Sequence, residues 1–250
     1  MAKAAYKSKI DANANEVLAN VFSNDRNLTA PKLDVPNGMN YNVRLKMDGL
    51  DFLSRLTSDS ITVAFFDPQY RGVLDKLGYG NEGVDRGKER CSLEQMSEIT
   101  IKEFISGISN CLIPSGHLFL WMDKFHLCTG FSNWFDGTQF DVVDMLTWHK
   151  GRIGMGYRTR RTSEYLVVLQ KQPRRAKGVW QIHNIPDVWH EKVKRGSGHT
   201  HKKPVMLQGE LISAVSNAGD VVIDPAAGSF SVLDACQNRG RNFLGCDLNG

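Results

Sequence analysis

The sequence predicts an α/β protein built around a layered, mostly parallel β-sheet with helices on both faces. Segments with strand character alternate with helical segments along most of the chain, a pattern typical of this class. The clearest strand is Ile61-Thr62-Val63-Ala64-Phe65-Phe66, a continuous β-favouring run that ends abruptly at Asp67-Pro68. A run without polar alternation is typical of a strand that a parallel sheet buries on both faces.

The remaining elements of the first part of the chain follow from apolar spacing and from breaker residues. Helical spacing predicts a helix over 51–56, and five glycines between positions 72 and 87 predict a long polar loop over 71–91. Loops of that length inside compact domains are usually functional or mobile. The elements expected after it are a helix over 92–111, a strand over 117–122, a helix over 124–135, and strands over 142–148 and 165–170.

The second part of the chain contains one break in this alternation. Residues 171–200 are rich in basic and aromatic side chains, and the α/β pattern resumes only after them. It continues with a helix over 205–215, a strand over 221–223, a helix over 231–239 and a strand over 242–246. We therefore predict an N-terminal extension over 1–40 and one domain over 41–250, in which 171–200 is an insertion.

Composition excludes several classes of protein. No window approaches the roughly 18 apolar residues of a membrane helix, and the amino terminus lacks the apolar core of a signal peptide. The five cysteines are odd in number and form no Cys-x-x-Cys pair, so we expect reduced thiols. The spacing of His183, His190, His199 and His201 is not that of a zinc site. We expect a cytoplasmic protein with no membrane contact and no metal.

The charge distribution indicates a polyanionic partner. Between Lys150 and Lys203 there are fourteen lysines and arginines against three acids, a net charge of +11 in a chain whose total is +4. Basic residues interleaved with Trp180 and Trp189 suit phosphate contact and base stacking. A solvated basic loop explains the segment equally well. The candidates for contact with DNA are Lys150, Arg152, Arg158, Arg160, Arg161, Arg174, Arg175, Lys177, Lys194 and Arg195.

The strongest local motif is Asp67-Pro68-Gln69-Tyr70, at the carboxyl end of the predicted strand over 61–66. An exocyclic amine such as adenine N6 is a poor nucleophile, and two acceptors aimed at its hydrogens would draw it toward tetrahedral geometry. The Asp67 carboxylate and the Pro68 carbonyl can supply them, and Tyr70 can stack on a base swung out of the helix. A strand-terminating turn capped by an aspartate explains four such residues equally well.

A second motif, Asp224-Pro225-Ala226-Ala227-Gly228-Ser229-Phe230, lies between a predicted strand and a predicted helix. Gly228 permits a close approach of a cofactor to the backbone, and Asp224 can contact a cationic amino group. Asp247, at the end of the next strand, can bind the two hydroxyls of an adenosyl ribose. By itself this geometry also fits a nicotinamide cofactor.

Together these motifs resemble the beta group of DNA amino-methyltransferases, over most of Lys46 to Asp247. Asp67-Pro68-Gln69-Tyr70 is similar to that family's Asp-Pro-Pro-Tyr motif, and the Asp224 motif is similar to its cofactor loop. His199-Thr200-His201-Lys202-Lys203-Pro204 resembles the family's His-Pro-Thr-Gln-Lys-Pro stretch. The segments Trp148-His149-Lys150-Gly151, Gly154-Met155-Gly156-Tyr157-Arg158 and Ser163-Glu164-Tyr165 resemble its middle region, and Met47-Asp48-Gly49 its upstream acidic element.

The resemblance implies a Rossmann-like S-adenosylmethionine-dependent methyltransferase fold and a target-recognition role for 171–200. It implies methyl transfer from S-adenosyl-L-methionine to adenine N6 in double-stranded DNA, with base flipping, and it allows a homodimer. The implied catalytic residues are Asp67, Pro68 and Tyr70. The implied cofactor-binding residues are Asp48, Gly49, Asp67, Lys203, Asp224, Ala226, Gly228, Ser229 and Asp247.

Departures from the family pattern keep alternatives open. Gln69 replaces a proline, Ala226 replaces a common phenylalanine, Phe230 replaces a common glycine, and the sequence ends at Gly250, where relatives usually continue into another helix. An aspartate at the first motif position goes more often with adenine than with cytosine. The alternatives are N4-cytosine methylation of DNA, methylation of RNA, and a subunit that binds cofactor or DNA without catalysis.

Overall fold

A sheet of eight strands runs through the part of the chain that the computed structural model describes, residues 28–69, 96–154, 159–192 and 202–250. The strands are β1 (Leu45–Lys46), β2 (Ile61–Phe66), β3 (Leu112–Met122), β4 (Phe140–His149), β5 (Ser163–Lys171), β6 (Val188–His190), β7 (Val221–Asp224) and β8 (Asn242–Asp247). Their order across the sheet is β1-β8-β7-β2-β3-β5-β4-β6. Among these eight, only β5 runs antiparallel to its neighbours, so the predicted mostly parallel sheet is confirmed.

Helices cover both faces of this sheet. They are α1 (Gly49–Ser54), α2 (Glu98–Cys111), α3 (Lys124–Thr129), α4 (Val205–Val215) and α5 (Ser231–Asn238), with a 3₁₀ turn over Ser132–Phe135. Side chains of β2 point alternately to the two faces: Ala64 and Phe66 join the cluster under α1 and α2, whereas Val63 and Phe65 join the cluster under α4 and α5. Complete burial of such a phenylalanine contributes about 1.5–3 kcal/mol. Within the described ranges, no helix is both long and apolar enough to span a bilayer.

Most predicted elements are present, with shifted ends. The helix over 205–215 has the predicted bounds, whereas the helix over 124–135 is split because Gly130, at φ +100°, ends α3. β3 begins at Leu112, before Pro114, and the register of β2 against β3 shifts between Ile61 and Val63. Proline cannot donate a ladder hydrogen bond, so this irregular start lets the strand accommodate it.

Two strands and one buried segment were not predicted. β1 and β6 are two and three residues long and lack a hydrophobic period, yet β6 pairs with β4 through Trp148 and Trp189. Upstream of residue 41, Leu33 and Met39 are buried in the cluster under α1 and α2. Parts of the predicted extension and of the predicted insertion therefore pack on the central sheet.

Candidate active site

Four aspartates singled out by the sequence lie at one edge of the sheet. β1, β8, β7 and β2 are parallel neighbours, so their carboxyl ends meet at the same edge. Asp67 directly follows β2, Asp224 and Asp247 end β7 and β8, and Asp48 lies two residues after β1. This edge is where ligands bind in open α/β sheets.

Asp67 is held by a lysine that is distant in sequence. The Nζ atom of Lys203, just before α4, lies 3.0 Å from Asp67 Oδ2. The same ammonium lies 4.8 Å from the centre of the Trp121 ring, a cation–π contact. Because the Lys203 side chain is only 15% exposed, this ion pair is largely removed from water.

Lys203 also contacts Glu164, the second residue of β5. Glu164 Oε2 accepts a hydrogen bond from Lys203 at 2.8 Å, and Glu164 Oε1 accepts one from Lys150 at 3.0 Å. Burial opposes the charge of Glu164, but the two ammonium groups outweigh it and lower its pKa to about 2. Burial likewise opposes the charge of Lys203, and Asp67 and Glu164 outweigh it and raise the pKa of Lys203. Glu164 and Lys203 are therefore both ionised at neutral pH.

The residues after Asp67 in the predicted catalytic motif are positioned by packing and by the backbone. Pro68 is buried and Gln69 is exposed, and the Gln69 carbonyl accepts a hydrogen bond from Met96 N at 2.8 Å. Tyr70 lies outside the described residues, so its predicted stacking role stays a prediction. Pro68, the predicted source of the second acceptor, is thus buried directly after Asp67.

Asp224 is a buried acid at the start of the cofactor loop. It is 6% exposed, and its Oδ1 accepts a hydrogen bond from Ala226 N at 3.2 Å. Burial raises its pKa well above the ordinary value, and the negative charges of Asp67 and Asp247 raise it further, while the Ala226 hydrogen bond opposes the rise. A cation placed beside this carboxyl would relieve that penalty.

The loop between Asp224 and α5 presents open space at Gly228. Gly228 has φ +49°, and a Cβ built on it would meet no atom within 4 Å. Its N–H donates to Asp247 Oδ2 at 3.1 Å, and Asn249 N donates to Asp247 Oδ1 at 2.9 Å. These backbone hydrogen bonds set the orientation of the Asp247 carboxylate at the mouth of the loop. Ser229 follows Gly228 and is half-buried.

Asp48 and Gly49 bring the start of α1 against this loop. Asp48 Oδ1 caps α1 by accepting hydrogen bonds from Leu50 N at 2.8 Å and Asp51 N at 3.1 Å. A Cβ on Gly49 would lie 2.3 Å from the Pro225 carbonyl oxygen and 2.4 Å from the Phe104 ring. Only glycine permits this contact, through which the start of α1 packs against the Pro225 carbonyl in the loop after Asp224.

The geometry fits a cationic nucleoside ligand such as S-adenosylmethionine. Within the described residues, Asp48, Asp224 and Asp247 form no ion pair, although Asp224 is buried. A sulfonium compound with an amino group would supply the missing positive charge. The open space at Gly228 leaves room for the ligand beside the backbone.

The predicted DNA-contacting residues fall into two groups at opposite edges of the sheet. Arg152, Arg160 and Arg161 lie near the end of β4 and the start of β5, on the active-site side. Arg174, Arg175 and Lys177 follow the other end of β5, about 30 Å away for a nine-residue strand. The predicted DNA-contacting residues are thus divided between the two ends of β5, because this antiparallel strand carries the chain across the sheet.

The members of the first group differ in exposure. Arg152 and Arg160 are exposed, and Arg160 donates to the Gly154 carbonyl. Arg161 is half-buried, and its Nε is buried without a hydrogen-bond partner among the described residues. Lys150 is only 14% exposed and pairs with Glu164. Arg158, Lys194 and Arg195 lie outside the described residues.

Sequence reasoning missed Glu164 and Trp121 as parts of the site. Glu164 is one of three acids in a strongly basic segment, and it stands at the start of a predicted strand, which was the available signal. Nothing in the sequence linked Trp121 to Lys203. Of the two tryptophans assigned to the recognition region, Trp180 packs on His117 and Phe119, and Trp189 donates to Glu191. No cluster of three or more potential metal ligands occurs in the described ranges.

Comparison with known proteins decides the family. Residues 64–250 match the N6/N4 family model described as DNA methylase. The chain belongs to this family of N6/N4 DNA methylases. The Type II methyltransferase M.HhaII of Haemophilus parahaemolyticus is 54% identical to this methylase over 208 residues, 83% of this chain and 91% of the relative. The Type II methyltransferase M2.DpnII of Streptococcus pneumoniae is 25% identical over 225 residues, 80% of this chain and 82% of the relative.

Solved structures of other methyltransferases share the fold of this methylase. The crystal structure of an M1.HpyAVI–SAM complex has a TM-score of 0.56 at 18% identity, covering 80% of this chain and 90% of that one. The cytosine-N4-specific PvuII DNA methyltransferase has a TM-score of 0.63 at 13% identity, covering 84% and 83%. The predicted family and fold are confirmed. The predicted cofactor is confirmed at the level of the family, because N6/N4 methylases use S-adenosylmethionine.

Proposed function

We propose that this methylase transfers the methyl group of S-adenosylmethionine to adenine N6 in double-stranded DNA, with the target base flipped out of the helix. The observation that carries the proposal is Asp67, an aspartate at the carboxyl end of β2, ion-paired with Lys203 and followed by the buried Pro68. A fixed, ionised carboxylate accepts a hydrogen bond from an amine without first having to lose a proton.

Asp67, Pro68 and Tyr70 have separate roles in the proposed reaction. The Asp67 carboxylate and the Pro68 carbonyl each accept a hydrogen bond from the N6 amino group, which directs the nitrogen lone pair toward the methyl carbon, and Tyr70 stacks on the adenine. Bound S-adenosylmethionine supplies an electrophilic methyl group on a sulfonium leaving group. N6 bonds to the methyl carbon as the carbon–sulfur bond breaks, and one N6 proton is lost to solvent.

We assign cofactor contacts to the acids beside Asp67. Asp224 takes the amino group of the methionine part and Asp247 takes the ribose hydroxyls, while Gly228 leaves room for the ligand against the backbone. The positive charge of the ligand suits the buried Asp224. Positioning of the methyl group in line with N6 then provides most of the acceleration.

We assign DNA contact to Arg152, Arg160 and Arg161, because they flank the site of methyl transfer. Arg174, Arg175 and Lys177 lie beyond the opposite end of β5 and would meet a different part of any bound duplex. Phosphate contacts of this kind hold the duplex in register without reading its sequence.

The experiment that tests the proposal identifies the methylated base. The purified protein is incubated with labelled S-adenosylmethionine and duplex DNA, and the product is digested to nucleosides and analysed by mass. We expect N6-methyladenosine in its deoxy form from the wild type. For Asp67→Ala we expect a loss on the order of 10²–10³-fold, as for removal of one preorganised hydrogen-bonding group. Asp136→Ala, which removes an exposed acid, is the matched control and should retain full activity.

A second candidate, N4-methylcytosine, has support from the fold shared with the cytosine-N4-specific PvuII enzyme. An exocyclic cytosine amine would meet the same two acceptors. Appearance of N4-methylcytosine in the digest would replace adenine with cytosine as the substrate, and methylation of RNA but not of duplex DNA would change the polymer. Full activity of Asp67→Ala would contradict the catalytic assignment itself.

A further inference from the structure

Glu164 links the acid at the end of β2 to the start of β5. Lys150, Glu164, Lys203 and Asp67 form a chain of charges that alternate in sign, with nitrogen–oxygen distances of 3.0, 2.8 and 3.0 Å. Both oxygens of Glu164 are used, one by each lysine. The resemblance to methyltransferases implies no role for Glu164, and the charge distribution made Lys150 a candidate for contact with DNA.

The Lys203 ammonium is constrained from three sides. An ammonium has three donor hydrogens, and two of them point to Glu164 and Asp67. The Trp121 ring lies on a further side, 4.8 Å from Nζ. A long, flexible side chain is thereby held in one position, at the place where it meets the acid of the catalytic motif.

The direction of β5 is what puts Glu164 in this place. β5 runs antiparallel to β3 and β4, so its first residues lie at the edge where β2 ends. Glu164 pairs with Trp148 of β4, and Lys150 N donates to the Thr162 carbonyl at 2.8 Å. Both ends of the Lys150–Glu164 pair are therefore anchored by strand pairing.

We propose that Glu164 is a positioning residue for methyl transfer, which holds the Lys203 ammonium against Asp67 so that this carboxylate keeps one orientation and stays ionised. The proposal rests on the proposed function, in which Asp67 accepts a hydrogen bond from the target amine. Lys150 supports Glu164 in turn and is not a phosphate contact.

The surrounding charges explain why Lys203 needs this support. The negative charge of Asp67 raises the pKa of Asp224 on the neighbouring strand β7, so the two acids repel each other when both are ionised. The Lys203 ammonium offsets the repulsion only while it stays beside Asp67. Without Glu164, burial would favour movement of the ammonium toward water, since it would have one carboxylate partner instead of two.

The test compares kcat for methyl transfer in Glu164→Gln and in wild type across a range of pH. We expect kcat to fall about 10- to 100-fold, the range for outer residues that orient a functional group. KM for S-adenosylmethionine and for DNA should change less than about threefold. The contacts that bind these ligands equally in the ground state and in the transition state are unchanged in this variant. In Lys203→Met, the acid limb of the kcat profile should move to higher pH, because Asp67 loses the charge that opposes its protonation.

A double-mutant cycle distinguishes positioning from a general structural role. If Glu164 acts through Lys203, Glu164→Gln should lower kcat much less in the Lys203→Met background than in wild type. Glu164→Gln alone would leave the Lys150 ammonium without its carboxylate and so could prevent folding. The double variant Lys150→Met/Glu164→Gln removes both members of this pair, so it can be measured if the single variant does not fold. It should show the same fall in kcat as Glu164→Gln.

The other end of β5 offers a matched control. Lys171 Nζ lies 2.7 Å from Asp59 Oδ1, and the Lys171 side chain is 8% exposed. Asp59→Asn breaks this equally close pair far from Asp67, so it should lower the unfolding temperature without changing kcat. Calorimetric titration of each variant with S-adenosylmethionine reports an intact cofactor pocket independently of catalysis.

The outcomes separate this inference from the proposed function. A kcat within about twofold of wild type in folded Glu164→Gln, or additive effects in the cycle with Lys203→Met, would overturn the positioning role. If the wild-type protein methylates cytosine, or methylates no base at all, the proposed function is overturned instead. In the cytosine case the same kcat comparisons still test Glu164.

Discussion

The acids at the active-site edge are partnered in two different ways. Asp67 lies 3.0 Å from the Lys203 ammonium, and the charges around it are balanced within the chain. Asp224 and Asp247, on the neighbouring strands, receive only backbone hydrogen bonds, and neither forms an ion pair within the described residues. A site that already balances its charge can keep one protonation state through a reaction. A site with unbalanced negative charge gains the most from a cationic ligand.

Among the variants that test this contrast between the acids, the largest expected effect is on cofactor binding when Asp224 is neutralised. Asp224→Asn should weaken S-adenosylmethionine binding about 10- to 100-fold, because a hydrogen bond to a charged group contributes about 1.5–3 kcal/mol. Calorimetric titration measures the change, with Asp136→Asn as the exposed control. Unchanged affinity would show that the buried acid of β7 does not receive the ligand's positive charge.

A methyl group added at Gly49, which packs against the loop after Asp224, should have the next largest effect, a loss of stability. Gly49→Ala would place a methyl group 2.3 Å from the Pro225 carbonyl, so we expect a loss of about 1–3 kcal/mol in the free energy of unfolding. Gly107→Ala on α2 is the control. There the new Cβ would lie 3.0 Å from Cδ1 and 3.3 Å from Cβ of Leu53, a milder contact than 2.3 Å to a backbone carbonyl, and alanine is the better helix former. Equal stability of the two variants would contradict the role of Gly49 in supporting the loop.

The two kinds of acid should also give opposite dependences of stability on pH. The pKa of Asp224 is raised, so its contribution to stability is present at acid pH and is lost as the pH rises through that raised pKa. The pKa of Glu164 is lowered to about 2 from an ordinary 4.5, so its contribution is present above about pH 4.5 and is lost as the pH falls toward 2.

Denaturant unfolding of the ligand-free protein at several pH values measures this contrast. Relative to wild type, Asp224→Asn should gain stability, and the gain should be greater at neutral than at acid pH. Glu164→Gln should lose stability at neutral pH, and the loss should shrink on acidification. If both variants change the free energy of unfolding in the same direction, then the presence or absence of ion pairs does not determine how the two acids contribute to stability.

The smallest expected effect concerns the exposed arginines. Arg152→Gln should reduce the slope of log Kd for duplex DNA against log salt by about 0.9, as for one lost phosphate contact. Arg174→Gln removes another exposed charge, at the opposite edge of the sheet, and should leave the slope unchanged. Filter binding at several salt concentrations measures both slopes, and equal changes would show that both groups of basic residues contact the duplex.

Local patterns predicted the elements of the fold that carry their own signal. β2 was clear from its uninterrupted β-favouring run, and α4 had the predicted bounds. β1 and β6 were missed because strands of two or three residues have no periodicity and exist only through pairing with β8 and β4. The end of α3 depends on the conformation of Gly130, which no apolar spacing reports.

The sequence by itself determined which acids lie at the ligand-binding edge. Asp67, Asp224 and Asp247 each stand where a buried strand ends, and the ends of parallel strands must meet. Only the tertiary structure decided how those acids are partnered. Lys203 and Glu164 are far apart in the chain, and they meet because β5 alone among the eight strands reverses direction. The same reversal separates Arg152 from Arg174, because strand direction is set by packing between elements and not by local residue preference.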